Sequence, residues 1–265
     1  MGYNPPMRRF KITLQYDGTR YNGWQIQRNG ITIQGLIEDV IYRITRQRIK
    51  VIAAGRTDAG VHAIAQVAAF SIESSLTTEI FMAAMNAYLP RDIRVMSVED
   101  VPLDFHPRYD AVGKRYFYLI LNSHMSSVFL ENFTWRIAEP LDIEAMKMAS
   151  VYLTGEHDFS SFRASKCGAK TAVRYMANID IQAIESIGFM TVSLHGPVIK
   201  VSMEANAFLR HMVRNIVGTL VEVGRGRIKP DTVKEILELK DRRLSGPTAP
   251  AKGLFLERIC YYPGT

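Results

Sequence analysis

Cysteine is scarce in this 265-residue chain: there are two, Cys167 and Cys260, far apart in sequence. They allow no disulfide framework and no Cys-x-x-Cys metal or redox pair, which suits a reducing cytoplasm. The six histidines, His62, His106, His124, His157, His195 and His211, show no metal-ligand spacing. There is no glycine-rich phosphate loop. No apolar run is long enough to span a membrane, and the opening MGYNPPMRRF lacks the apolar stretch of a signal peptide. Gly2 invites a myristoylation reading, but Pro6 stands where that motif needs Ser or Thr. The expectation is a cytoplasmic protein with no membrane association, no metal and no cofactor.

What is present is an ordinary globular composition, 47% hydrophobic. The chain is long enough to bury a sizeable core as one large domain or two small ones. Net charge is +7 and the pI about 9.4. That modest excess suits a polyanionic partner without requiring one. The basic residues cluster: Arg43, Arg46, Arg48 and Lys50; then Arg163, Lys166, Lys170 and Arg174; then Arg225, Arg227 and Lys229; then Arg242 and Arg243. Each cluster alone reads as a solvated face, and together they would suit RNA phosphates.

Periodicity organises the chain into two halves. Phe10, Ile12, Leu14 and Tyr16 alternate with polar residues, a half-buried strand ending at Asp17-Gly18. Ile33 to Ile44 carry helical spacing, with Thr32 as N-cap. Strands are expected at 49–54 and 61–71. A helix follows Thr77 with Ile80, Phe81, Ala84, Met85 and Tyr88 inward, then a strand at 93–99. The second half has a strand at 111–121, apolar on both faces and therefore central. A helix runs from Asp142, its N-cap, to Leu153. Strands follow at 173–184 and 189–204, the latter interrupted at His195-Gly196-Pro197. A helix spans Ala207–Val223, a short one starts at Pro230, and a last strand spans Gly253–Tyr262. The stretch 122–140 reads as an insertion. Two β-α-β-β-α-β units make an α+β protein of two ferredoxin-like halves, 1–104 and 105–265.

One aspartate stands out. Asp58 lies in AGRTDAGVHA, between two apolar segments and flanked by Gly55 and Gly60. The glycines permit a tight connection that lifts Arg56, Thr57 and Asp58 into view. A carboxylate held there can act as a nucleophile or stabilise positive charge. Taken alone, the run reads equally as a hairpin turn with a solvated Arg56.

The rest of the chain adds to that run. YDGTRYNGWQIQ (16–27), NAYLPRDI (86–93), DFHPRYDAVGKRYFY (104–118), GEHDFSSFRAS (155–165), ANAFLRHMVRNIVGTLVEVG (205–224) and APAKGLFL (249–256) follow in order. With AGRTDAGVHA they resemble the motif blocks of the TruA-type tRNA pseudouridine synthases over nearly the full length. Arg210-His211 stands where many members pair two histidines.

The resemblance implies two ferredoxin-like halves facing across a central cleft, with their antiparallel sheets joined. It implies isomerisation of uridine to pseudouridine in the tRNA anticodon stem-loop, at positions 38 to 40, by a homodimer that holds the tRNA. That reaction breaks the C–N bond between base and sugar and makes a C–C bond to C5. Nothing is oxidised, so no cofactor is called for. The sugar C1′ gains positive character, and Asp58 is the carboxylate to meet it, as in glycosidases. Arg214 is the expected cation that keeps it ionised. Arg210, Arg214 and Gly218 recur along one face of the expected helix, beside an apolar face of Phe208, Met212, Ile216 and Leu220. Tyr116 is the expected platform for a flipped base and the base for the C5 proton. Tyr118 shares its face, and only the family motif favours Tyr116. Arg56 is expected to fill the gap left by the flipped nucleotide. Arg163, Lys166, Lys170 and Arg210 are expected to grip the RNA.

Two other readings stay open at this point. A non-catalytic RNA-binding protein would show RNP-type aromatics, and no RNP1-like run is present. A pseudouridine synthase with a different RNA target would carry the same motifs.

Overall fold

The computed structural model describes residues 5–165, 167–189 and 192–262, with backbone only for 189 and 192–196. The protein is α+β, with five α-helices among the described residues. It divides into two compact units, Met1–Val112 with Leu256–Thr265, and Gly113–Phe255.

The first unit is built on β1 (Met7–Tyr16), β2 (Ile52–Ala53), β3 (His62–Glu73) and β4 (Ile93–Val101). With β10 (Leu254–Tyr261), which enters this unit at Leu256, the strand order is β4-β1-β3-β10, and β2 pairs with β3. The pairs β1–β3, β1–β4 and β2–β3 are antiparallel. The alternation along β1 is the expected one: Phe10, Ile12, Leu14 and Tyr16 are buried. Helix α1 (Ile33–Thr45) starts at the expected cap, where the Thr32 hydroxyl accepts from the Gly35 amide. Helix α2 (Thr78–Tyr88) is capped by Thr77. Phe10, Phe70 and Phe81 form the aromatic centre of this core, with ring centroids 5.1–5.9 Å apart.

Two expectations change here. The strand placed at 49–54 shrinks to Ile52–Ala53, pairing Ala69 and Ala68. Val51 is tied instead through its backbone to the Glu38 carboxylate and the Gln34 amide of α1. In α2, Phe81, Met85 and the following Leu89 are buried, but Ile80 and Tyr88 are each 54% exposed. The two sets are adjacent i, i+4 rows about 100° apart, and a short helix lying on a sheet buries only one.

The second unit carries β5 (Ala111–Asn122, entering it at Gly113), β6 (Trp135–Ile137), β7 (Gly155–Asp158), β8 (Val173–Phe189) and β9 (Val192–Ala205). The order is β5-β9-β8-β7, antiparallel throughout, and β6 pairs with β5 in parallel. The stretch 122–140 is therefore not wholly an insertion, because it returns a strand to the sheet. Its helices are α3 (Ile143–Val151), α4 (Met212–Gly224) and α5 (Thr232–Leu239). Asp142 caps α3 as expected, accepting from the Ala145 amide.

Strand β9 is not broken at 195–197. It pairs with β8 from Phe189↔Val192 onward, and the register slips where Ser186↔His195 gives way to Ile184↔Val198. One extra residue on β9 makes a bulge there, which accommodates Pro197 with its missing N–H. Helix α4 starts five residues later than expected. His211 has φ 63°, and Asn206 closes the preceding stretch by exchanging hydrogen bonds with the Tyr175 backbone. Arg210 and Phe208 thus lie in a loop, not on the helix face with Arg214.

Candidate active site

The chain between β2 and β3 forms a short loop that carries Arg56, Thr57 and Asp58. The Ala54 amide bonds the Val67 carbonyl (2.8 Å) where the loop leaves the sheet. The Asp58 carbonyl accepts from the Val61 amide (3.1 Å), closing a turn that passes through Gly60 at φ 77°. Thr57 faces inward and is buried, Arg56 is exposed, and Asp58 lies between these extremes.

A second segment straps this loop. The Trp24 amide donates to the Thr57 carbonyl (3.0 Å), and the Gly60 amide donates to the Tyr21 carbonyl (3.2 Å). Gly23 sits at φ 83°, where a Cβ would lie 2.6 Å from the Thr57 carbonyl oxygen and 2.9 Å from the Asp58 carbonyl carbon. Two backbones touch here without room for a side chain. Gly23→Ala is expected to shift the Asp58 loop and cost both activity and stability, the latter by about 1–3 kcal/mol. A wild-type melting midpoint and turnover rate in that variant would show that the strap does not hold the loop.

Beneath the loop lies a buried polar cluster. The Tyr16 and Thr57 hydroxyls are hydrogen-bonded at 2.8 Å, and Gln66 Nε2 donates to the Gly55 carbonyl at 2.7 Å. Burial pushes the Tyr16 hydroxyl up to about 12, against the opposing pull of its bonds to Thr57 and Gln66, so it stays protonated. At the end of β1, the Gly18 amide donates to His62 Nδ1 (3.0 Å).

The second unit holds the other candidates. Arg214 lies in the first turn of α4. Its Nε donates to the Ala249 carbonyl (2.7 Å), and the Ala249 amide returns a bond to the Arg214 carbonyl (3.1 Å). The helix meets residues 246–249 backbone to backbone: a Cβ on Gly218 would collide with the Pro247 carbonyl oxygen. Asn215, 1% exposed, ties the same region together. Its Nδ2 donates to the Phe162 carbonyl (2.8 Å), while its Oδ1 accepts from Thr248 (2.6 Å) and Arg242 (3.1 Å).

Tyr116 and Tyr118 share a face of β5, yet their surroundings differ. The Tyr116 ring meets Phe208 edge-on at 5.1 Å and 79°. Tyr118 is fully buried, donates its hydroxyl to the Pro250 carbonyl (2.8 Å), and lies where any side chain on Gly253 would stand. Burial drives its hydroxyl pKa far up, with the Arg214 charge only partly opposing.

Several of the basic residues are committed within the protein. Arg225 and Arg227 pair with Glu222 and Glu139, and Arg243 pairs with Asp241. Arg242 is spent on Asn215, Ser245 and Thr248. The segments that carry Arg163 and Arg210 meet where the Ala164 amide bonds the Arg210 carbonyl (2.9 Å). A hollow of about 420 Å³ at this meeting point is lined by Ser165, Arg210, His211, Asn215, Arg242 and Thr248, with no carboxylate in its wall among the described residues. Lys170 is exposed on the segment that follows. Lys166 lies outside the described residues. A second hollow of about 410 Å³, lined by Met148, Val151, Tyr152, Pro230 and Asp231, contains none of the candidates. Among the described residues there is no cluster of His, Cys, Asp or Glu able to hold a metal ion, and no helix long and apolar enough to cross a membrane.

Residue spacing alone missed Gln66, the Gly23 strap and the Asn215–Arg242–Thr248 cluster. Gln66 had one visible signal: it is the lone amide in the apolar run AIAQVAAF.

A partly exposed carboxylate, fixed by its backbone on both sides, can meet a carbon that becomes electron-poor. A family model described as tRNA pseudouridine synthase matches residues 12–110 and 149–262. The chain is 43% identical over 258 residues to the tRNA pseudouridine synthase A of Myxococcus xanthus, covering 97% of this chain and 94% of that protein. It is 45% identical over 253 residues to that of Moorella thermoacetica, covering 95% and 98%. With that of Acetivibrio thermocellus the identity is 42% over 255 residues, covering 96% and 100%. The chain belongs to the tRNA pseudouridine synthase family. It is an isomerase that makes pseudouridine.

Proposed function

We propose that this isomerase acts on the anticodon stem-loop of tRNA, converting uridine to pseudouridine at positions 38 to 40 with Asp58 as the nucleophile. The observation that carries the reading is the Asp58 loop itself: a short turn pinned through Thr57 and Gly60 to the strap at residues 21–24. Fixing a carboxylate this way removes the entropy that a mobile one would lose on meeting the sugar. Tyr116 supplies the platform for the flipped base and the group that takes the C5 proton. Arg214 supplies the positive charge that favours the ionised carboxylate, and Arg56 replaces the flipped nucleotide in the stack. Arg163, Lys166, Lys170 and Arg210 contact tRNA phosphates, and the carboxylate-free hollow beside Arg210 supports that role for Arg210. We further propose that each unit follows a ferredoxin-like plan, that the enzyme works as a homodimer, and that it resides in the cytoplasm. Family membership supports these points, and the two cysteines without a disulfide partner also suit a reducing compartment.

The test is to incubate the protein with unmodified tRNA transcripts and map pseudouridine by position. Product confined to 38–40 is the expected result. Product only at other positions, or only in another RNA class, would overturn the choice of target while leaving the chemistry.

A further inference from the structure

Gln66 is a buried amide that nothing in its strand requires. It is 0% exposed and lies between Ala65 and Val67 in β3. Among the described residues its Oε1 accepts no hydrogen bond, so the side chain carries an unmet acceptor inside the protein. A methionine or leucine would fill that volume without the cost of a buried unpaired oxygen. What the amide does provide is its donor. Nε2 bonds the Gly55 carbonyl at 2.7 Å, at the root of the loop that carries Asp58, and its second reach, 3.5 Å, is to the Tyr16 hydroxyl. The Tyr16 hydroxyl in turn bonds Thr57 Oγ1, the residue before Asp58.

The strand is shaped to deliver this side chain. Leu14 pairs Gln66, but Tyr16 pairs Ala63, so β3 carries one extra residue against β1 just before Gln66. A bulge of that kind shifts which residues face inward and re-aims a side chain. Here Ile64 is 42% exposed, while Ala63 and Gln66 are buried.

We propose that Gln66 is a positioning residue for Asp58, holding the root of its loop through Gly55 and, with Tyr16, its middle through Thr57. The proposal rests on Asp58 as the reactive carboxylate. The strap at 21–24 grips the loop from outside, and Gln66 with Tyr16 grips it from within the sheet. Loosening the inner grip lets the carboxylate drift from its reacting geometry without touching the RNA-binding surface.

The experiment compares Gln66→Met and Tyr16→Phe with the wild-type chain under single-turnover conditions at saturating tRNA, well below each variant's melting midpoint. Gln66→Met keeps length and volume and removes the donor. The chemical step should slow roughly ten- to hundredfold, with the tRNA dissociation constant within about twofold. The double variant should lose less than the product of the two single losses, because both residues secure one loop. A wild-type chemical step in Gln66→Met overturns the proposal. So does a slow step that recovers fully on cooling in parallel with stability, which would mark a purely structural residue. If Gln66→Met does not fold, Tyr16→Phe decides: a wild-type step there leaves the inner grip without a catalytic role. Asp58→Asn is measured alongside. Turnover by that variant would sink the Asp58 reading itself, whereas a dead Asp58→Asn beside a fully active Gln66→Met would sink only the positioning role.

Discussion

Asp58→Asn should abolish turnover, with a loss of several orders of magnitude, while tRNA binding and the fold persist. The backbone path of the loop is tied by groups other than the carboxylate. That path is set by the Thr57 and Asp58 carbonyls, the Gly60 amide and the buried Thr57 hydroxyl, all of which the asparagine keeps. The substitution therefore removes charge and nucleophilicity without removing shape. Covalent or charge-stabilising catalysis by a carboxylate has no fallback in an amide, whose oxygen is neutral and weakly nucleophilic. Rate and affinity must be measured together. Pseudouridine formed near the wild-type rate would show that Asp58 is not the reactive group. A variant that failed to bind tRNA would show that its carboxylate serves recognition.

Local signals reached some parts of this molecule and not others. The alternation of β1, the caps at Thr32 and Asp142 and the helix start at Thr77 are properties of a few neighbouring residues, and they appear where periodicity and capping chemistry place them. The loop between β2 and β3 was legible for the same reason, since Gly55 and Gly60 punctuate it. The start of α4 was not. Ala207, Phe208 and Leu209 continue the apolar rhythm backward, but Asn206 and Arg210 have backbone partners in Tyr175 and Ala164, distant in sequence. Those long-range bonds hold the stretch outside the helix, and no window of sequence displays them. The same applies to Gln66, whose purpose is visible only once the bulge in β3 brings it beneath Gly55. Gly218 shows no local need for glycine either, because the Pro247 carbonyl that excludes a side chain comes from a later segment. Chemistry on a short loop was readable. The framework that aims it was not, because that framework is built from contacts between distant segments.

Tyr116→Phe and Tyr118→Phe should fail in different ways, although periodicity treats the two residues alike. Tyr118 has its hydroxyl committed to the Pro250 carbonyl and its pKa driven up by burial, so it is poorly suited to accept a proton near neutral pH. Removing that hydroxyl strands one carbonyl and should cost about 1 kcal/mol of stability with little effect on rate. Tyr116 packs edge-on against Phe208 through its ring. Tyr116→Phe preserves that packing and the stacking surface, and removes only the group assigned to the C5 proton. Its chemical step should fall about 10²- to 10⁴-fold, the range for loss of a general base, with tRNA affinity unchanged. Tyr116→Leu should in addition weaken capture of the base, by roughly 1–3 kcal/mol, as the aromatic face is lost. Single-turnover rates, binding constants and melting curves for the three variants separate the roles. A fully active Tyr116→Phe would rule out proton transfer by that phenol and leave it a stacking platform. A larger catalytic loss at Tyr118 would give the chemistry to the deeper ring, whose bond to Pro250 would then have to break in every turnover.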